Sequence, residues 1–158
     1  MSDRKAAIRT HLEQTRAEVL AVVSQLKESD WEKPVQGEHG KWTARQVLAH
    51  LAAAEIGQMS RIQRVLAGER YMPEGFNLDF WNERQVQKRE NQRVEDILKD
   101  LEASRQALLQ LLDSLSEEQL DVEGQHAIGA MMTVEQMFYH LGNHERDHAA
   151  ELRRALES

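Results

Sequence analysis

The chain has 158 residues, of which 41% are apolar and 30% charged, and a formal net charge of −7. This is the size and balance of a globular domain that can bury a core, and it excludes a disordered chain. Without a dense Lys/Arg block a nucleic-acid groove is disfavoured, and the absence of cysteine excludes disulfides, zinc–thiolate sites and a cysteine nucleophile.

Ala, Leu, Glu, Gln and Arg dominate and only two prolines occur, which favours helix throughout. The first segment runs from about Asp3 to Glu28, with Ile8, Leu12, Val19, Val22, Val23 and Leu26 at helical spacing and Asp3 as N-cap. Ser29-Asp30, Pro34, Gly37 and Gly40 then make a loop. The second segment opens at Thr43, where Thr43-Ala44-Arg45-Gln46 has the capping-box form and Trp42 stands in the staple position. Val47, Leu48, Leu51, Ile56, Met59, Ile62 and Val65 carry it to a stop at Gly68.

Residues 69–90 are less regular. Glu69 to Gly75 reads as loop, and the aromatics Phe76, Phe80 and Trp81 follow, in a stretch too long for a tight turn and suited to a crossover with a short helix. Those aromatics either line a pocket or pack the crossover onto the bundle. The third long helix spans about Gln92 to Leu115 on a stripe of Val94, Ile97, Leu98, Leu101, Leu108, Leu111 and Leu112. Ser116 to Leu120 forms a capped turn and 121–132 a glycine-containing loop. In that loop Met131 and Met132 read as core or dimer surface. The last helix starts at a second capping box, Thr133-Val134-Glu135-Gln136, and reaches about Leu156. No strand-like alternation appears, so the chain reads as one all-α domain over 1–158, a four-helix bundle. Acid–base neighbours such as Glu69-Arg70 and Glu145-Arg146 read as solvated helix surface. No signal-peptide core follows Met1 to Lys5, and no window nears the ~18 apolar residues of a membrane span. A cytoplasmic protein without a membrane partner is expected.

The chemistry concentrates in histidine. On the last helix His140, His144 and His148 are four apart, a rise of roughly 6 Å per step, so neighbouring imidazoles on one face can share an ion, whereas His140 and His148, roughly 12 Å apart, cannot. Val134, Met137, Phe138, Leu141, Leu152 and Leu156 mark the core side, and His144 and His148 continue it. Two such residues in a core need partners. A metal ion would serve, and so would carboxylates such as Glu55 or Asp147. On the second helix His50, flanked by Val47, Leu51 and Ala54, lies within reach of a neighbouring helix about 8–10 Å away.

Trp42-Thr43-Ala44-Arg45-Gln46-Val47-Leu48-Ala49-His50-Leu51, with His140-Leu141-Gly142-Asn143-His144-Glu145-Arg146-Asp147-His148 downstream, resembles the DinB-like superfamily of DinB/YfiT-like metalloenzymes. Within it, the chain resembles the branch of bacillithiol S-transferases and, more distantly, mycothiol-dependent maleylpyruvate isomerases. The resemblance implies an up-down-down-up bundle with a long crossover between helices 2 and 3. It also implies a three-histidine site at His50, His144 and His148 for a divalent ion, and homodimers. Where many relatives carry His-His-Arg-Gly-Gln, this chain has Asp147-His148-Ala149-Ala150-Glu151, so Asp147 is no ligand candidate. His140 is expected beside the site or in the core, and His126 on the surface or near the open side of the metal. His11 and His39 carry no signal.

Three imidazoles leave an open coordination position. Imidazole suits zinc or nickel, and also iron or manganese. Such an ion lowers the pKa of water or of a thiol. Since the chain has no cysteine, any thiol would have to arrive as a low-molecular-weight cosubstrate, as the resemblance to the S-transferases implies. That resemblance, with the open three-histidine set, makes transfer of a small thiol to an electrophilic small molecule the leading expectation. One alternative is metal-dependent hydrolysis with Glu55 or Glu145 as base, although neither shares a helix face with the histidines. The other is a non-catalytic metal-binding or interaction protein.

Overall fold

The computed structural model describes residues 2–37, 40 and 42–157. Six α-helices are present among them: α1 (Asp3–Val23), α2 (Ala44–Leu66), α3 (Leu78–Lys88), α4 (Val94–Ser114), α5 (Glu117–Leu120) and α6 (Val134–Arg153). The four long ones, α1, α2, α4 and α6, form a four-helix bundle. α1 lies along α6, α6 against α2, and α2 against α4, and α4 closes the ring on α1. α1 and α2 are thus diagonal partners. That is possible because a long connection follows each of α1 and α2.

Local signals explain most boundaries. Thr43 accepts from the Gln46 N–H while the Gln46 side chain returns to the Thr43 N–H, and Thr133 and Gln136 repeat the arrangement at α6. Both capping boxes therefore sit where the sequence puts them. Trp42 and Val47, residues N′ and N4 of α2, share one buried cluster as a hydrophobic staple requires. Gly68 ends α2 at φ 99°, a left-handed angle that glycine tolerates best.

Other expectations shift. Ser2, not Asp3, caps α1 by accepting from the Lys5 N–H. α1 stops at Val23, and residues Glu28–Glu32 form a separate 3₁₀ turn closed by Asp30, whose carboxylate takes the Lys27 N–H at 2.8 Å. α6 likewise tightens into a 3₁₀ turn over Arg154–Leu156. The loop expected over 121–132 contains a small antiparallel hairpin, β1 (Glu123–Gln125) against β2 (Met131–Thr133). Strands of three residues are too short for an alternation pattern to register.

The interior is two apolar layers with a charged layer between them. One layer gathers Val19 and Val22 of α1, Leu48 and Leu51 of α2, Ile97 and Leu101 of α4, and Ala149 and Leu152 of α6. The other gathers Ile8 and Leu12, Ile62 and Val65, Leu108 and Leu112, and Phe138 and Leu141 from the same helices in the same order. Between them every long helix contributes buried polar groups: Thr15 and Arg16, Glu55, Ser104 and Arg105, and Glu145. Arg16 reaches Glu145 at 2.5 Å and Glu55 at 3.0 Å, and Arg105 reaches Glu145 at 2.6 Å and Glu55 at 2.7 Å. Ser104 donates to Glu55 at 2.6 Å and Thr15 to Glu145 at 3.2 Å. The guanidinium groups also donate to the Leu101 and Leu12 carbonyls. Burial pulls the Arg16 pKa down, but the coulombic pull of Glu55 and Glu145 more than offsets it, leaving that pKa above its ordinary value.

This layer corrects two expectations. Glu145 is buried in it, so only Arg146, held by Glu18 at 2.8 Å, belongs to the solvated surface. Glu55 and Glu145 are each engaged by two arginines and are not available as bases. Removing one cation leaves buried carboxylates undercompensated, which typically costs several kcal/mol. Arg105→Met is therefore expected to lower the unfolding free energy by about 3–5 kcal/mol, read from urea denaturation followed by far-UV circular dichroism.

Candidate metal centre

α2 and α6 pack side by side, and their facing surfaces carry the histidines. His50 and His148 are buried and His144 is half-buried. The His144 Nε2 lies 3.1 Å from the His50 Nε2 and 3.0 Å from the His148 Nε2. The ligand atoms of all three fall within 4.8 Å of one another. At the usual metal–imidazole length, nitrogens bound to one ion are spaced about 3.3 Å apart in a tetrahedral set and about 2.9 Å in an octahedral one. The two spacings to His144 lie between those values. Three nitrogens converging tip to tip suit a central cation, which takes a lone pair from each.

The surroundings hold the rings. His148 places its Nδ1 3.2 Å from the Glu151 carboxylate and turns its Nε2 toward the cluster. Gly37 makes room for that carboxylate, since a Cβ there would collide with it. The Trp42 ring packs 5.3 Å from the His50 ring, and its indole N–H donates to Glu83 of α3 at 3.2 Å. Neither Glu151 nor Glu83 stood out in the sequence. For Glu151 the signal was present, because it falls three residues after His148 on the buried side of α6.

The remaining histidines separate clearly. His140 stays outside the trio, half-buried, with its ring stacked 6.4 Å from His144 and edge-on 4.4 Å from His126. His126 is only 3% exposed, so it is not a surface residue. Its Nδ1 accepts from the Ile128 N–H at 3.1 Å, which puts the proton on Nε2, an atom with no hydrogen-bond partner among the described residues. Asp147 is exposed. His11 packs on Tyr139 away from the trio, and His39 lies outside the described residues.

His148 is fully buried, while the other two of the trio, His50 and His144, line a cavity of about 980 Å³ together with His126, His140 and Asp147. Its far wall is the crossover, with Tyr71, Met72, Phe76 and Trp81. Trp81 both lines the cavity and packs the crossover onto the bundle. A Cβ at Gly57 of α2 would lie 2.8 Å from the Trp81 Cη2, so only glycine lets the indole lie this close. Phe80, by contrast, points to solvent. Arg61, reaching out from α2, clasps the walls together. It donates to the Gln125 carbonyl at 2.7 Å and to the Glu69 and Arg70 carbonyls at 2.8 and 3.1 Å. Gln125 in turn accepts from the Met72 N–H at 2.9 Å.

Comparison with known proteins agrees with this architecture. The family model of the DinB superfamily matches residues 11–152. A protein of Oceanobacillus iheyensis named a putative metal-dependent hydrolase is 29% identical over 119 residues, covering 75% of this chain and 67% of that protein. Among solved structures, YfiT from Bacillus subtilis is described as a probable metal-dependent hydrolase with an unusual four-helix bundle topology. It superposes with a TM-score of 0.79 at 21% identity, over 99% of this chain and 89% of that one. The mycothiol-dependent maleylpyruvate isomerase superposes with a TM-score of 0.78 at 15% identity, over 96% of this chain and 63% of that one. At these identities the two structures speak for the fold alone.

Burial, then the neighbouring His140 and Arg61, push the His126 pKa from 6.5 down to about 4. Between those values the unfolded chain takes a proton that the folded chain refuses. Stability is therefore complete above pH 6.5 and declines as pH falls toward 4. In chelator-treated protein, His126→Asn is expected to remove on the order of 3 kcal/mol of that decline, seen by comparing urea midpoints of parent and variant across this window.

Proposed function

This chain belongs to the DinB superfamily, and on that premise we propose that it is a divalent-metal enzyme joining a low-molecular-weight thiol to an electrophilic small molecule, with His50, His144 and His148 as the metal ligands. The observation that carries the reading is the convergence of three imidazole nitrogens, two of them on histidines that line a cavity with room for two reactants. When bound, the ion supplies a Lewis acid that lowers the pKa of a thiol toward neutrality. The protein supplies the rest. Glu151 stands beside the far nitrogen of His148, and Trp42 braces His50. The cavity walls hold the electrophile while its carbon forms a bond to sulfur, the bond from that carbon to the leaving group (chloride in a chlorodinitroarene) breaks with its electron pair, and the thiol proton passes to solvent. Zinc and nickel suit the all-nitrogen set best, and a homodimer is the family expectation.

Hydrolysis is the second reading. It draws on the names of two relatives, and Asp147 at the cavity wall is a carboxylate that could serve it. Against it, Glu55 and Glu145, the two acids first considered as bases, are consumed by arginines. A purely non-catalytic role fits less well, because the cavity leaves space for a ligand beside the imidazoles.

Two measurements test this reading. In titration calorimetry with zinc or nickel, His50→Ala, His144→Ala and His148→Ala are each expected to abolish binding to the site. Glu151→Gln is expected to weaken it by about 10–100-fold. Full-affinity binding by His144→Ala would remove the basis for the assignment. For activity, metal-loaded protein is offered 1-chloro-2,4-dinitrobenzene with small thiols, and a nitrophenyl ester without thiol. Thioether formation that His144→Ala loses is the expected result. Ester cleavage that needs no thiol and disappears in the same variant would make hydrolysis the function instead.

A further inference from the structure

The cavity's lining identifies the kind of molecule that fills it. Four large apolar side chains around it are left open to solvent: Ile56 43%, Tyr71 66%, Phe76 37% and Ile128 51% exposed. Single exposed apolar residues are ordinary, but a group of them around one concavity marks a binding surface. They come from three separate parts of the chain: α2, the crossover and the turn of the β1–β2 hairpin. The Arg61 clasp brings those parts together, so the apolar ring is a product of tertiary structure and not of one amphipathic helix. Trp81 extends it inward toward the histidines.

The charges on the lining cancel. Arg61, Arg64 and Arg89 are matched in number by Glu69, Asp79 and Asp147. Arg61 is already occupied by three backbone carbonyls, and Arg64 faces Glu69 at 3.4 Å. Nothing in the lining offers an unengaged cationic cluster for a multiply charged anion. The volume, about 980 Å³, stands at the upper end of small-molecule sites and exceeds what a small thiol fills.

We propose that the electrophilic partner is a bulky, formally uncharged, largely aromatic or polycyclic molecule, seated among Ile56, Tyr71, Phe76, Trp81 and Ile128 with its reactive end toward His144. The assignment of a reactive end rests on the proposed function. The apolar seat does not, and it operates with or without an ion.

The test uses the neutral polarity-sensitive dye 6-propionyl-2-(dimethylamino)naphthalene, followed by its fluorescence, on zinc-loaded and on chelator-treated protein. One dye per chain with blue-shifted emission is expected in both states, so a failure of the metal assignment leaves this result untouched. Ile128→Asp and Phe76→Asp, both at solvent-open positions, are expected to weaken binding about tenfold or more. Leu20→Asp is the control, an equally open apolar residue on α1 outside the cavity, and is expected to bind as the parent does. Three outcomes overturn the apolar seat. One is no binding, and another is equal binding by the two cavity variants. The third is a parent dimer, seen by light scattering, that Ile128→Asp splits while dye binding persists, because the apolar ring is then a protein–protein seat. Tighter binding of the anionic dye 8-anilinonaphthalene-1-sulfonate would overturn the uncharged class.

Discussion

The charged layer across the middle of the bundle is the constraint on which the site depends. Each of the four long helices contributes to it, and each carboxylate is shared by two arginines from different helices. Apolar contacts are non-directional and tolerate sliding, whereas a guanidinium–carboxylate pair fixes both distance and angle. Sliding one helix by a turn, about 5.4 Å, would break several of these bonds at once and strand charges in the core. The layer therefore sets the axial register of α2 against α6. Register is what places His50 opposite His144 and His148. Buried ion pairs are weak evidence for net stability; here their worth lies in selecting one alignment.

Around that fixed frame the cavity is assembled from the less regular parts of the chain. The crossover and the hairpin have little core of their own. They are held by backbone carbonyls gathered on Arg61 and by the paired Gln125 and Arg70. Burial lowers the Arg61 pKa from its ordinary value, with Glu69 opposing. A cation solvated by carbonyl oxygens lets two loops be joined without adding a carboxylate to the lining. The frame supplies the imidazoles and the loops supply the shape.

Much of this was legible in the sequence wherever the determinant is local. The capping boxes at Thr43 and Thr133 and the 144/148 spacing depend on residues within four of each other, and each lies where it was expected. The place of His50 came from a family pattern, because helix spacing alone does not say which neighbour a face meets. The partners of Glu55 and Glu145 escape a reading of spacing for the same reason, since they lie on other helices. A clue did exist: Arg16 follows Leu12 by four and precedes Val19 by three, and Arg105 stands in the same way between Leu101 and Leu108. Both arginines thus sit on apolar stripes. A cation at a core position calls for an anion at another. The hairpin and the burial of His126 are not legible, because the burial of a short loop is decided wholly by what packs over it. Only the alternative that places His126 near the open side of the histidine cluster agrees with its position in the cavity lining.

Gly57 has one more consequence. With hydrogen as its side chain, the indole of Trp81 rests directly on the helix backbone. An indole is rigid, so it cannot fold away from a newcomer as a lysine or methionine would. A single methyl group at position 57 would have to be absorbed by moving the whole crossover wall, and the bore of the chamber would change with it. The gauge of the chamber is thus written in one hydrogen atom, and divergence in the size of guest that such a scaffold admits can begin at a position that makes no chemical contribution of its own.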